Sequence, residues 1–95
     1  MNNGYYKFAS FLHGELERRD MNPSMLFSLM DEKVPMWTIW RWLRGESIPN
    51  GWQLALLMQR FQKYIDYKIL MPTNAHGVMV KSLQQTFFPS MRDRK

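Results

Sequence analysis

The fold is decided by one stretch of the sequence, Val34-Pro35-Met36-Trp37-Thr38-Ile39-Trp40-Arg41-Trp42-Leu43-Arg44-Gly45. Proline fixes the backbone at the first turn of a helix, and glycine readily takes the left-handed conformation that ends one. Ile39, Trp42 and Leu43 recur at spacings of three and four and share one face. Val34 closes the turn beneath that face. The stretch therefore predicts a helix over residues 35–44 with one buried face and one polar face.

Two helices are predicted before this stretch. Apolar spacings of three and four indicate an amphipathic helix over residues 4–19. Its buried positions are Tyr5, Phe8, Leu12 and Leu16, and its outer face carries Lys7, Glu15 and Arg18. Asn22 is a good N-cap and Pro23 suits the first helical position, so a second helix begins there. Its buried face is Met25, Leu26, Leu29 and Met30, and polar residues 31–33 form the turn that follows.

The chain after this stretch divides into a clear part and an ambiguous part. A fourth helix over residues 51–64 is apolar nearly all round, as expected of a central buried helix. Two short segments, 67–71 and 78–83, flank a turn cluster at 72–77, which favours a β-hairpin. A helix over residues 78–88 fits nearly as well, and residues 89–95 form a basic tail. We expect one folded domain over 1–65 and an extension over 66–95.

Composition and charge restrict the classes of protein that fit. The 95 residues suffice for one small domain, and with no cysteine there is neither a disulfide framework nor a thiolate metal site. The net charge of +5 is uneven, at −1 over residues 1–34 and +6 over residues 35–95. A polyanionic partner is indicated, nucleic acid before an anionic membrane. Without a signal peptide or a long apolar run, a reducing, cytoplasmic compartment is expected.

Helix, turn and basic helix follow one another in the order of a helix-turn-helix DNA reader. Ile39-Trp40-Arg41-Trp42-Leu43-Arg44-Gly45, followed by Ile48-Pro49, resembles the Cro and phage-repressor (lambda repressor-like, XRE-type) family. The resemblance covers about residues 16–61. It implies a mainly α, lambda repressor-like bundle of four to five helices that binds double-stranded operator DNA, commonly as a homodimer on a pseudo-palindrome. The turn at 31–33 is about two residues longer than is usual in the family.

The resemblance also implies which residues contact DNA. The start of the third helix holds the base-reading positions, and its end and the following loop contact the DNA backbone. The full set of implied DNA-contacting residues is Ser24, Met36, Trp37, Thr38, Trp40, Arg41, Arg44, Asn50. Arg41 is the candidate for a guanine contact because its fork matches the two major-groove acceptors of that base. Arg44, Asn50 and Ser24 fall at phosphate-contacting positions. The apolar Met36, Trp37 and Trp40 are unusual on a groove-facing surface, and we expect them either to contact thymine methyls or to pack against the C-terminal segment or another protein.

The tail is similar to the end of small phage Cro repressors. The matching residues are Asn74-Ala75-His76-Gly77-Val78 and Phe88-Pro89-Ser90. In that family a C-terminal strand pairs across the dimer and a phenylalanine docks on the partner. The likeness implies a dimerisation strand that contains Val78 and Val80, with Phe88 as the anchor.

No constellation of residues in the sequence suggests catalysis. His13 and His76 are isolated and are expected at the surface, and the five glycines form no phosphate-binding loop. The paired acids, Glu15 with Glu17 and Asp31 with Glu32, are expected on solvated faces with ordinary pKa values. We therefore expect a transcriptional regulator of phage or mobile-element type, not an enzyme, with no cofactor and no metal. Two alternatives are an antitoxin and a protein-interaction module anchored by Trp37 and Trp40.

Overall fold

The computed structural model describes residues 4–73. This part of the chain contains four α-helices and one short 3-10 helix, joined by turns and loops. In chain order they are α1 (Tyr6–Arg18), α2 (Pro23–Leu29), α3 (Met36–Leu43), α4 (Gly51–Phe61) and the 3-10 helix Tyr67–Leu70. The prediction of a mainly helical bundle is confirmed, and the predicted helix ends differ from the observed ones by up to three residues. None of these helices has the length and apolar character needed to cross a bilayer.

Helices α2 and α4 begin, and α3 ends, where the sequence provides caps. The Asn22 side chain accepts a hydrogen bond of 2.8 Å from the backbone N–H of Met25, which confirms the predicted N-cap of α2. Gly45 follows α3 with φ +78°, the left-handed conformation expected of it. Asn50 caps α4 in a capping box with Gln53: each side chain accepts from the other residue's backbone N–H, at 3.0 and 2.9 Å. Local sequence therefore sets these boundaries.

The core forms around α3, which packs against both α1 and α2. Its predicted inner face is confirmed, since Ile39 and Trp42 are fully buried and Leu43 nearly so, and Val34 is buried beneath them. The Trp42 ring meets Phe8 of α1 edge-on, with centroids 6.1 Å apart and planes at 87°. The fully buried residues that complete this core are Leu12, Leu26, Met30 and Leu57. Helix α3 is thus fixed from behind by its neighbours.

Two predictions about buried helices were wrong. Met25 is 50% exposed, because the seven-residue α2 meets the core through Leu26 and Met30. The fourth helix is not buried all round: Trp52 is 50% exposed, and only Leu57 and Phe61 of α4 are buried. The all-round burial predicted for α4 fails because α3, not α4, occupies the centre of the bundle.

The predicted strand at residues 67–71 was also wrong. Residues 67–70 form the 3-10 helix instead, which packs against α1. The Asp66 side chain accepts a hydrogen bond of 3.0 Å from the N–H of Lys68 and so favours a turn over an extended strand. Thr73 then pairs with Gly4 through two backbone hydrogen bonds of 2.8 and 2.6 Å. The second half of the predicted hairpin, and Val78, Val80 and Phe88 with it, lie outside the described residues.

Candidate nucleic-acid interface

Helix α3 presents a stripe of one tryptophan and two arginines opposite its buried face. Trp37, Arg41 and Arg44 are separated by four and three residues, so they lie in line on one side of the helix. Trp37 is 63% exposed, and both arginine side chains are about half exposed. We call these three residues the α3 stripe. Trp40, 45% exposed, lies on the flank of the stripe.

One carboxylate neutralises part of the charge of the α3 stripe. Glu46, just after the helix, accepts from the Arg44 Nε at 2.9 Å and lies 3.7 Å from the Arg41 Nε. The hydrogen bond with Glu46 raises the pKa of Arg44, and the same bond lowers the pKa of Glu46. All three side chains are exposed, so water and salt screen the pairing and another anion can replace the carboxylate. Two arginines and one glutamate leave one positive charge.

The other predicted contact residues are placed less uniformly. Met36 and Thr38 are partly buried beside the stripe, whereas Ser24 is exposed at the start of α2. Pro23 and Trp40 line one depression, which brings the start of α2 next to α3. Asn50 is exposed, but its side-chain oxygen accepts the capping bond of α4, so only its NH₂ group remains to donate to a phosphate. The fold therefore places the predicted α3 residues together and gives Asn50 a structural role besides.

Residues 30–35 connect α2 and α3 and include the predicted turn at 31–33, and α4 contacts this connection. Asp31 and Glu32 both have φ of +58°, a left-handed conformation that most side chains disfavour. Arg60 of α4 donates a hydrogen bond of 3.0 Å from Nε to the Leu29 carbonyl oxygen and pairs with the Asp31 carboxylate. Sequence reasoning missed Arg60. Because this arginine ties α4 to the turn, it helps to set the direction in which α3 leaves the turn.

Glu15 contradicts the prediction that it lies on the solvated face of α1. Its side chain is 1% exposed and pairs with Arg18, Arg19 and Lys63, the Arg19 Nε at 3.1 Å. Burial by itself would raise the pKa of Glu15, but hydrogen bonds from Lys63, Arg19 and Arg18 outweigh it and lower the pKa to about 2. The missed signal was spacing, because Glu15 follows Phe8 by seven residues and Leu12 by three. It therefore shares their face.

Side chains of α1 also hold the ends of α3 and α4. Nε2 of His13 donates a hydrogen bond of 2.9 Å to the carbonyl oxygen of Leu43, the last residue of α3. His13 is exposed, as predicted. Arg19 donates at 2.8 Å to the Phe61 carbonyl oxygen, and its guanidinium lies 4.7 Å from the centre of the Phe61 ring. Both bonds satisfy carbonyls that a helix end leaves without partners.

Comparison with protein-family models found no match, and comparisons with curated proteins and with solved structures found no significant match. Within residues 4–73 there is also no group of three or more metal-binding side chains. The resemblance to the Cro and phage-repressor family thus stays a prediction carried by the residues around Trp42.

Proposed function

We propose that the protein is a sequence-specific DNA-binding regulator that reads the major groove with α3. The observation that carries the proposal is the pairing of two faces on one helix. Trp42 and its apolar neighbours anchor the inner side of α3, and the α3 stripe projects Arg41 and Arg44 from the outer side. A reading helix needs this combination, because its angle must be fixed while its polar side chains reach base edges.

The dimensions of α3 suit this task. An α-helix with its side chains is about 10–12 Å in diameter, which fits a major groove about 12 Å wide, and the eight residues of α3 are about 12 Å long. Arg41 lies near the middle of the stripe, where its fork matches the O6 and N7 acceptors of guanine. Trp37 offers an apolar surface to a thymine methyl. Arg44 and the exposed Lys33 and Ser24 flank the helix and suit contacts to phosphate oxygens.

Glu46 is the group that DNA would replace at the proposed site. In the free protein its carboxylate occupies the two arginines of the α3 stripe. A DNA phosphate carries a full negative charge and accepts the same forked hydrogen bonds. We propose that binding exchanges Glu46 for DNA, so the arginines are held in place before the encounter and released on contact.

Charge and symmetry complete the proposal. Residues 4–73 contain nine basic and seven acidic side chains, and residues 74–95 contain four basic and one acidic. A single domain with so small a surplus on its described part would bind DNA weakly, since phosphate contacts supply most of the affinity. Two copies on a pseudo-palindromic site double the contacts. Homodimerisation therefore belongs to the proposal. A cytoplasmic location, expected from the sequence, is proposed with it.

The test is selection from a pool of duplexes with a randomised centre, followed by affinity measurement across a range of salt concentrations. We expect one enriched sequence, with log affinity falling by about 0.9 per phosphate contacted for each unit of log salt. Arg41→Ala should weaken binding to that sequence by roughly 1–3 kcal/mol and relax the preference at one base pair. Lys68→Ala removes one exposed charge from the 3-10 helix and is the matched control. Equal loss on every sequence would move Arg41 to the phosphate-contact class.

A second candidate function, docking to another protein, has one observation in its favour. Trp37 and Trp40 are 63% and 45% exposed on the same helix, and exposed tryptophans are frequent anchors of protein interfaces. The salt series separates the two functions, since an aromatic interface is far less sensitive to salt than phosphate contacts are. If no duplex is enriched in the selection, the DNA-binding proposal is wrong and docking becomes the leading function.

A further inference from the structure

A groove lined by both apolar and acidic residues runs along the C-terminal half of α1. Two depressions of about 380 and 410 Å³ share Leu16, Glu17 and Met21 and so form one continuous surface. The first also contacts Asp20 and Met25, and the second His13 and Trp40. We call this surface the acidic groove. It lies beside the α3 stripe, because Trp40 belongs to α3.

The edge of the acidic groove lacks compensating charge. Glu17 and Asp20 are exposed, and neither forms an ion pair with any residue of the described range 4–73. The cations nearest in sequence, Arg18 and Arg19, pair with Glu15 on another side of α1. Met25 and Trp40 add half-exposed apolar surface to the same groove. An occupant that fits it must combine positive charge with bulky apolar side chains.

The chain itself contains such a segment. Residues 74–95 contain four basic residues against one acid, and apolar side chains lie among them: Val78, Val80, Leu83, Phe87, Phe88, Met91. We propose that residues 74–95 of the same chain bind in the acidic groove, with basic side chains against Glu17 and Asp20 and apolar side chains against Met25 and Trp40. This interaction does not depend on what the α3 stripe binds.

Chain length permits the interaction. Residue 73 is bonded to Gly4, and Gly45 accepts a hydrogen bond of 2.9 Å from Tyr5, so residue 74 starts near the end of α3. His13, at the near end of the groove, lies nine positions after Gly4, a span of about 14 Å at the rise of a helix. An extended chain covers that distance with four or five residues, at about 3.3 Å each. Most of the 22 residues remain to make contacts.

The test uses the full chain and exploits its lack of cysteine. Ser90→Cys introduces one attachment point for a nitroxide without removing a basic residue. Methionine methyl groups are observed by NMR. We expect strong loss of the Met21 and Met25 signals, which line the groove, little loss at Met58 on α4, and recovery when the nitroxide is reduced. Equal intensities at all three methionines would overturn the proposal.

Two controls establish the cause and the source of any loss. Glu17→Gln with Asp20→Asn removes the charge of the groove, and asparagine tolerates the left-handed backbone of Asp20. This double variant should restore at least half of the lost intensity, whereas Glu32→Gln, an exposed acid elsewhere, should not. Mixing untagged, methyl-labelled chains with tagged, unlabelled chains tests for exchange between molecules. If the loss appears fully in the mixed sample, a second copy fills the groove and the intramolecular proposal is wrong.

Discussion

The basic residues on α1 and near the end of α4 are used differently from those on α3. Arg18, Arg19 and Lys63 surround one buried carboxylate, whereas Arg41 and Arg44 share one that is exposed. The first group is part of the fold, because its carboxylate is buried. The second group can exchange its carboxylate for another anion. A basic residue is therefore available to a polyanion where its carboxylate partner is exposed, and not where that carboxylate is buried.

Basic side chains also serve the fold at the helix ends. The carbonyl groups that close α2, α3 and α4 accept hydrogen bonds from Arg60, His13 and Arg19 respectively. Each donor lies on a different helix from the carbonyl that it satisfies, so these bonds tie helices together as well as capping them. The net charge of a small basic domain thus overstates the charge available for binding. The basic charge that remains exposed on α3 is therefore the more informative about what the protein binds.

The largest effect is expected on the inner face of α3, on which both groups depend. Trp42→Ala should lower the free energy of unfolding by about 3–5 kcal/mol, because it truncates a fully buried aromatic side chain. Trp37→Ala, one turn earlier on the exposed side of the same helix, should change it by less than about 0.5 kcal/mol. Urea unfolding followed by circular dichroism measures both. Similar losses for the two variants would show that the two faces of α3 are wrongly assigned.

The carboxylates of the two groups permit a matched comparison. Glu15→Gln should lower the free energy of unfolding by about 1–3 kcal/mol, since it removes the charge that three hydrogen-bonded cations surround in the interior. Glu46→Gln should leave the urea midpoint unchanged, because its partners are exposed. The same variant should strengthen DNA binding about three- to tenfold, through the loss of one repulsive charge beside the phosphates. A stability loss at Glu46 comparable to that at Glu15 would remove the distinction between the groups.

Acid titration isolates the contribution of Glu15. Its pKa is lowered from 4.5 to about 2 in the folded protein, so its stabilisation is complete above pH 4.5. That stabilisation is lost as the pH falls from 4.5 toward 2. We expect the difference in unfolding free energy between wild type and Glu15→Gln to shrink over this interval. A difference that stays constant from pH 7 to pH 2 would mean that the charge of the Glu15 carboxylate is not what stabilises the folded protein.

The sequence predicted what depends on local pattern and missed what depends on tertiary contacts. Caps and apolar spacing identified the four α-helices of residues 4–73 and the inner face of α3. Burial of Glu15 was missed because a charged residue was assigned to the surface by type, although its spacing placed it with Phe8. Arg60 could not be identified, since its partners lie about thirty residues earlier in the chain. The strand assigned to residues 67–71 followed residue type and ignored the turn that Asp66 favours.

The smallest effect is expected at Asn50, where a structural role and a proposed DNA contact coincide. Asn50→Ala removes the N-cap of α4 and should lower the free energy of unfolding by about 1 kcal/mol. Asn50→Asp separates the two roles, because aspartate caps a helix as well as asparagine does but repels a phosphate. We expect Asn50→Asp to unfold like wild type in urea and to bind the selected duplex more weakly. If its affinity equals that of wild type, Asn50 acts only as a cap, and the proposed interface shrinks to α3 and the residues beside it.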